Sequence, residues 1–68
     1  MTLGQRIKVI RTHKGISQVE LAKRCELTRQ TINNYEKDQR EPTLLNAMCI
    51  ADALGVSLDF LVGKERSR

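Results

Sequence analysis

Apolar residues recur at helical spacing in five short segments of this 68-residue chain, and polar stretches separate the segments. Each segment follows a hydroxyl residue whose side chain can accept a hydrogen bond from the free amides of a first helical turn. These five capping residues are Thr2, Ser17, Thr28, Thr43 and Ser57. The pattern predicts an all-α chain of five short helices, the first stopped near Lys14 by Gly15 and the fourth ending at Gly55.

Each predicted helix has one face suited to a shared core. The core candidates are Leu3, Ile7, Ile10, Leu21, Ala22, Cys25, Ile32, Tyr35, Leu44, Ala47, Ile50, Ala51, Leu54, Leu58 and Leu61. Glu36 also lies on the core side of its helix, where a carboxylate is costly unless a cation meets it. A chain of this length buries only about 60% of its unfolded surface, so the core must be lean.

The stretch from Ser17 to Lys37 reads as a helix, a short turn and a second helix that starts near Thr28. The second helix has an outward face rich in amides and cations and free of acidic residues. This face consists of Gln30, Asn33, Asn34 and Lys37, flanked by Arg29 and Thr31. Arg, Asn and Gln are the side chains that read base edges in the DNA major groove. An ordinary solvated helix face has a similar composition, so the pattern alone leaves both interpretations open.

The motif and its surroundings resemble the Cro/repressor-type, or XRE-like, helix-turn-helix family of bacterial and phage regulators. The matching residues within the motif are Gln18, Leu21, Ala22, Leu27, Thr28, Thr31, Ile32, Tyr35 and Glu36. Those outside it are Leu3, Ile7, Arg11, Gly15, Ile16, Ser17, Pro42, Thr43, Leu44, Ile50, Ala51, Leu54, Gly55, Val56, Ser57, Leu58, Asp59 and Leu61. The resemblance implies a compact five-helix, lambda-repressor-like DNA-binding domain over residues 1–63, with the helix-turn-helix formed by helices 2 and 3. It also implies a sequence-specific transcriptional regulator, a repressor rather than an activator.

By position, the resemblance implies two sets of DNA contacts. The base-reading set is Arg29, Gln30, Thr31, Asn33 and Asn34. The set facing the DNA backbone is Gln18, Lys37, Gln39 and Arg40. Gln18 matches a family position that contacts phosphate and supports the first reading residue. The resemblance further implies a partly buried ion pair between Arg11 and Glu36 that ties the first helix to the third.

Three residues depart from the family pattern. Glu26 and Asp38 stand where the family commonly has Gly, so both are expected to adopt positive φ. The cost is roughly 1 kcal/mol for Glu26, whereas Asp tolerates the left-handed region better than most residues. Ala47 replaces a larger aliphatic residue, which leaves the core thinner or lets Met48 turn inward. Elsewhere, Arg6 lies off the apolar face of the first helix, where it serves either solubility or a contact with the DNA backbone.

Repressors of this kind commonly dimerise through their C-terminal helices, which implies a homodimer on a palindromic operator. The candidate interface residues are Phe60, Val62 and Leu45. Residues 64–68 are charged and lack apolar anchors, so we expect a flexible tail.

Composition excludes several other classes of function. Twelve Lys and Arg against eight Asp and Glu give a net charge of +4, which favours a polyanionic partner without deciding it. Cys25 and Cys49 form no CxxC pair and His13 has no second ligand at metal spacing, so we expect no metal and no cofactor. With no nucleophile–base pair, phosphate loop, signal peptide or long apolar run, we expect a cytoplasmic protein that is not an enzyme and has no membrane or small-molecule partner. The alternative is a protein-interaction module of the same fold, antitoxin-like or an adaptor.

Overall fold

The computed structural model describes residues 1–63, which fold into five α-helices and contain no strand. The helices are α1 (Leu3–His13), α2 (Gln18–Arg24), α3 (Arg29–Glu36), α4 (Leu44–Leu54) and α5 (Leu58–Val62). The predicted all-α, five-helix architecture is confirmed. The predicted tail, residues 64–68, lies outside the described residues.

All five predicted hydroxyl caps are confirmed, because each side chain accepts from the backbone amide three residues further on. At α1 the bond is reciprocal, since the Gln5 side chain accepts from the Thr2 amide at 2.9 Å. At α2 the Glu20 carboxylate instead accepts from Arg24 Nε at 3.0 Å, one turn further along the same helix. Local side-chain chemistry therefore fixes where every helix starts.

The core draws one completely buried aliphatic side chain from each helix. These residues are Ile7, Leu21, Ile32, Ile50 and Leu61, in helix order. Burying one such side chain contributes about 1.5–3 kcal/mol, so each helix has a comparable share in holding the domain together. Ala22 and Ala47 are also buried, and their small side chains let neighbouring helices approach closely. Met48 remains about half exposed beside Ala47 and does not turn inward.

Two core assignments, Leu44 on α4 and Leu58 on α5, need correction. Leu44 was expected in the core but is 66% exposed, because it stands in the first turn of α4, before the buried part of that face begins at Ala47. Leu58, in the first turn of α5, is only half-buried for the same kind of reason. Cys49 lies off the predicted stripe and yet packs against the core, next to Cys25.

Arg6 has a role that neither sequence-based interpretation included. Its Nε donates to the carbonyl of Leu61 at 2.9 Å, its Nη2 donates to the carbonyl of Phe60, and its guanidinium lies over the Phe60 ring at 5.5 Å. Carbonyls in the last turn of a helix have no partner within the helix, and a cation there also suits the helix dipole. Arg6 thus holds α5 against α1.

The start of α1 is joined to the end of α3 through Asp38. The Asp38 carboxylate accepts from the Thr2 hydroxyl at 2.6 Å and from the Gly4 amide at 3.2 Å. Asp38 has φ of 59° and Glu26 has φ of 56°, so both predicted positive-φ residues are confirmed. The two bonds that Asp38 makes offset the backbone cost at that position.

Gly4 is the residue on which this joint depends sterically. A Cβ at position 4 would lie 2.2 Å from the carbonyl oxygen of Tyr35 and 2.6 Å from the Asp38 carboxylate. Neither partner can withdraw easily, because the Tyr35 carbonyl is helix backbone and the Asp38 carboxylate is held by its bonds to Thr2 and Gly4. Absence of a side chain at Gly4 therefore lets α1 rest on the end of α3.

We expect Gly4→Ala to lower the free energy of unfolding by at least about 2 kcal/mol, because the added methyl overpacks the α1–α3 contact. Gly15→Ala is the matched control: Gly15 has φ of 73° and open space around it, so the change should cost only about 1 kcal/mol. Urea unfolding followed by circular dichroism measures both. Equal loss in the two variants would contradict the steric argument.

Candidate nucleic-acid interface

The recognition-helix candidate α3 is divided lengthwise into a buried and an outer face. Ile32, Tyr35 and Glu36 are buried. The predicted base-reading residues all lie away from that buried face: Arg29 and Gln30 are exposed, and Thr31, Asn33 and Asn34 are half-buried. The structure thus brings the five predicted residues together on one solvent-facing side of a single helix.

A tight turn holds α2 and α3 in a fixed relation. The positive φ of Glu26 reverses the chain, after which the Leu27 amide donates to the Ala22 carbonyl at 2.8 Å. Leu27 packs against the core, and Thr28 caps α3 by accepting from the Thr31 amide at 3.1 Å. The turn therefore needs no Gly, since the backbone bonds and the Leu27 contact stabilise the conformation that Glu26 adopts.

The predicted Arg11–Glu36 ion pair is present beneath the motif. Arg11 Nε lies 2.6 Å from Glu36 Oε2 and Arg11 Nη2 lies 3.1 Å from Oε1, in the two-pronged geometry that suits a guanidinium and a carboxylate. Arg11 Nη1 also donates to the carbonyl of Ile16 at 2.8 Å. The side chains are only 12% and 2% exposed, so the charges neutralise each other largely out of contact with water.

Gln18, the first residue of α2, connects this ion pair to the outer face of α3. Its Nε2 donates to Glu36 Oε1 at 2.9 Å and approaches Asn33 Oδ1 at 3.3 Å. Its Oε1 lies 3.5 Å from Nη1 of Arg29. On the same outer face, Gln30 Nε2 donates to Asn34 Oδ1 at 3.0 Å. Two of the candidate reading residues are thus hydrogen-bonded to each other, and two more are hydrogen-bonded to Gln18.

The loop after α3 forms a shallow polar depression beside the outer face of that helix. The depression has a volume of about 320 Å³. Its lining residues are Thr31, Asn34, Tyr35, Arg40, Glu41 and Thr43. Arg40 therefore lies next to two predicted reading residues, whereas Lys37 and Gln39 are exposed on the same loop without lining the depression.

Sequence reasoning missed Glu41 and Thr43 as members of this region. The sequence identified Thr43 only as the N-cap of α4. The available signal was the Pro42–Thr43 pair, because it marks a helix start that follows closely after α3. Glu41 contributes a negative charge that opposes part of the attraction of Arg40 for an anion.

The model of the Helix-turn-helix family matches residues 7–61, which is most of the chain and includes the whole motif described above. The chain belongs to the helix-turn-helix family. Its relatives include the immunity repressor protein of Bacillus phage phi105, which is 40% identical over 65 residues, or 96% of this chain and 45% of the repressor. The chain spans about half the length of curated relatives such as this one.

Two solved structures of repressor or regulator proteins with DNA share the fold of this helix-turn-helix domain. The P22 c2 repressor in complex with a synthetic operator aligns at a TM-score of 0.87, with 28% identity over 96% of this chain and 98% of the repressor chain. SinR, described as the master regulator for biofilm formation and solved in complex with DNA, aligns at 0.82, with 30% identity over 88% of this chain and 97% of its own. The predicted lambda-repressor-like fold is thereby confirmed.

The predicted interface residues of the helix-turn-helix domain lie on two separate helices. Phe60 is 41% exposed and lines an apolar depression of about 360 Å³ between α1 and α5. Val9 and Val56 line the same depression, and neither was a sequence-based candidate. Leu45 is 75% exposed on the outer side of α4, and Val62 is half-buried.

None of the helices in residues 1–63 is long and apolar enough to cross a bilayer.

Cys25, at the end of α2, lies near Cys49 of α4. Burial raises the pKa of the Cys25 thiol from 9.0 to about 12, and the neighbouring Cys49 and the charge of Asp52 act in the same direction. Because the pKa in the folded state exceeds that of the unfolded chain, folding favours the protonated thiol. This contribution to stability is fully present below pH 9 and is lost as the pH rises towards 12.

We expect the Cys25 thiol to react with iodoacetamide at pH 8 at least about 100-fold more slowly in the native domain than in denaturant, because the thiolate is the reactive species. A Cys49→Ala variant isolates Cys25 and retains burial, the largest cause of the pKa shift. In the native variant the rate should keep rising beyond pH 10, whereas in denaturant it levels off near pH 9. A native rate equal to the denatured rate would contradict the prediction.

Proposed function

We propose that this helix-turn-helix domain binds double-stranded operator DNA with α3 in the major groove and acts as a sequence-specific transcriptional regulator, in the manner of a repressor. The division of α3 supports this most directly. One face is anchored by Ile32, Tyr35 and Glu36, while the other offers guanidinium and amide groups to solvent. A helix held rigidly from behind is what positions side chains against base edges.

Arg29, Gln30 and Asn34 are the principal readers in this proposal, with Thr31 and Asn33 beside them. The exposed Arg29 side chain suits guanine O6 and N7, and an amide suits adenine N6 and N7. Because Gln30 Nε2 donates to Asn34 Oδ1, these two amides meet the groove as a hydrogen-bonded pair. One donor of Gln30 and the acceptor of Asn34 are already used within that pair.

Contacts with the DNA backbone would come from both sides of α3. Gln18 stands at the start of α2, and Lys37, Gln39 and Arg40 stand in the loop after α3. Such contacts set the position of the domain on the duplex and carry no sequence information by themselves. Arg40 is best supported among them, because it lies beside Thr31 and Asn34.

The domain would act as a homodimer on a palindromic operator, its two α3 helices entering half-sites about one helical turn apart. Phe60 is the best supported interface residue, since it joins Val9 and Val56 around an apolar depression that a second copy can cover. Val62 and Leu45 complete the proposed interface. The protein would regulate transcription by occupying a promoter, so the proposal needs neither a cofactor nor a catalytic step. It assigns the protein to the cytoplasm, where bacterial and phage promoters are transcribed.

A protein-interaction module is the second candidate, and one observation favours it. Leu44, Leu45 and Met48 are all exposed on the outer side of α4, which is an unusual cluster of apolar residues for a free surface. The two functions differ in what mutations of α3 do, because only a DNA reader depends on its outward face.

We expect Arg29→Ala and Gln30→Ala each to weaken binding to a selected operator by about 10- to 100-fold, since a good bidentate base contact is worth about 1–3 kcal/mol. Binding to random-sequence DNA should change much less. Fluorescence anisotropy across a salt series measures both affinities, and their ratio reports specificity.

Lys8→Ala is the matched control for Arg29→Ala, because it removes the same charge from an exposed position on α1. It should lower affinity for both DNA pools slightly and leave their ratio unchanged. If Arg29→Ala and Gln30→Ala behave like Lys8→Ala, α3 does not read sequence and the interaction module becomes the better account.

We expect two copies of the domain per palindromic operator, and Phe60→Ala should weaken the assembly by about 10-fold or more, as the loss of a central apolar contact does. Val19→Ala is the control, since Val19 is an exposed apolar residue on α2, a helix that contributes nothing to the proposed interface. Sedimentation equilibrium with and without DNA reports the stoichiometry. A monomer under both conditions, even at high concentration, would refute the dimer.

A further inference from the structure

Glu36 takes part in more than the ion pair with Arg11. Its Oε2 receives Arg11 Nε, while its Oε1 receives both Arg11 Nη2 at 3.1 Å and Gln18 Nε2 at 2.9 Å. A buried carboxylate has lone pairs that the arginine alone does not fill, so a further donor helps to satisfy it. The extra donor comes from Gln18, a side chain that reaches the outer face of α3.

We propose that Glu36 is a positioning residue for base reading: it fixes the direction of a hydrogen-bond chain that runs through Gln18 to Arg29 and Asn33. The inference rests on the proposed function, because it concerns how the reading side chains are presented to DNA. What it adds is a role in sequence selectivity for a buried residue that cannot touch the DNA.

The direction of the chain follows from the chemistry of a carboxylate. A primary amide has a donating and an accepting end of nearly the same shape, so a Gln side chain can be placed in either orientation. The carboxylate of Glu36, paired with Arg11, only accepts. Gln18 must therefore turn its Nε2 inwards, which leaves its Oε1 on the side of Arg29.

The next link transmits this orientation to the outer face of α3. Because Gln18 Nε2 is directed at Asn33 Oδ1, the Asn33 amide is left with its NH₂ group as the end available to DNA. Because Gln18 Oε1 lies near Nη1 of Arg29, it favours a guanidinium position close to α2. Glu36 thus determines that Asn33 offers a hydrogen-bond donor to DNA instead of an acceptor. It also favours one location for the guanidinium group of Arg29.

Arg11 supports this arrangement by holding the carboxylate in place. It binds both oxygens of Glu36 and is itself anchored on the carbonyl of Ile16. The carboxylate is therefore restrained against rotation, and its Oε1 stays within reach of Gln18. Geometry at the reading face depends in this way on a contact between α1 and α3.

The test uses Glu36→Gln, which keeps the shape of the side chain and gives it a donating as well as an accepting end. An inward Gln18 Nε2 is then no longer required. We expect the ratio of operator to random-DNA affinity to fall about 10-fold or more, a loss comparable to that of a base contact. Random-DNA binding, which follows charge, should change by less than about 3-fold.

Loss of stability is controlled separately, since Glu36→Gln also removes the charge partner of Arg11. Ile50→Ala destabilises the core away from the chain of hydrogen bonds by an amount of the same order, and it serves as the matched control. All proteins are assayed at a temperature where each is folded. A similar fall in the affinity ratio for Ile50→Ala would overturn the inference, because instability alone would then account for the effect.

A double-mutant cycle asks whether Glu36 acts through Gln18. In a Gln18→Ala background, Glu36→Gln should change the affinity ratio by less than about 2-fold, since the link to the reading face is already absent. An equally large effect in both backgrounds, or none in either, would overturn the inference.

A measurement without DNA separates this inference from the proposed function. In the free protein, the side-chain amide protons of Gln18 should give NMR signals that exchange slowly with solvent and shift on Glu36→Gln. Freely exchanging Gln18 signals in the parent would overturn the inference while leaving the DNA-binding proposal standing. Equal affinity of the parent for all DNA sequences, with protected Gln18 signals, would overturn the proposed function and with it the role of Glu36 in reading.

Discussion

The buried contact between Arg11 and Glu36 is the interaction on which the rest of the domain depends. It joins the first helix to the third with two charge-assisted hydrogen bonds, and almost none of either side chain reaches water. Removing one partner would leave a charge stranded in the core, which is far more costly than never having had the pair. The helix that faces DNA in our proposal is thereby attached to the body of the fold by electrostatics as well as by packing.

Around this contact the domain is built with little redundancy. Each of the five helices gives one completely buried aliphatic side chain. Besides the Arg11–Glu36 pair, a few polar side chains join the helices: Asp38 joins the end of α3 to α1, Arg6 joins α1 to α5, and Arg24 joins α2 to α4. A chain this short has no second layer that could compensate for a lost joint. We therefore expect the helix-turn-helix motif to depend for its stability on the helices packed around it.

Features that rest on neighbouring residues were predictable from the sequence, and those that rest on distant partners were not. Caps, the turn between α2 and α3 and the buried face of α3 follow from side-chain chemistry within a few positions. Leu44 was misplaced because periodicity gives the angle of a residue around a helix but not where the neighbouring helices stop. Arg6 was misread because the carbonyls it caps lie 55 and 54 residues away. The contact of Cys25 with Cys49 has no sequence signature at all, and the hydrogen bonds that order the reading residues appear only once α2 and α3 are packed.

The arrangement of α3 bears on how such a domain changes its target during evolution. Gln30 is exposed, contributes nothing to the core and lies outside the hydrogen-bond chain of Glu36, so replacing it alters the proposed DNA-facing surface at almost no cost in folding. Gln18 and Asn33 are different, because they are tied to the buried carboxylate of Glu36. Each of these two residues must keep its hydrogen bond in the chain from Glu36 and must also suit the DNA target. We therefore expect lineages of this fold to diversify at positions such as Gln30 and to retain Gln18 and Asn33.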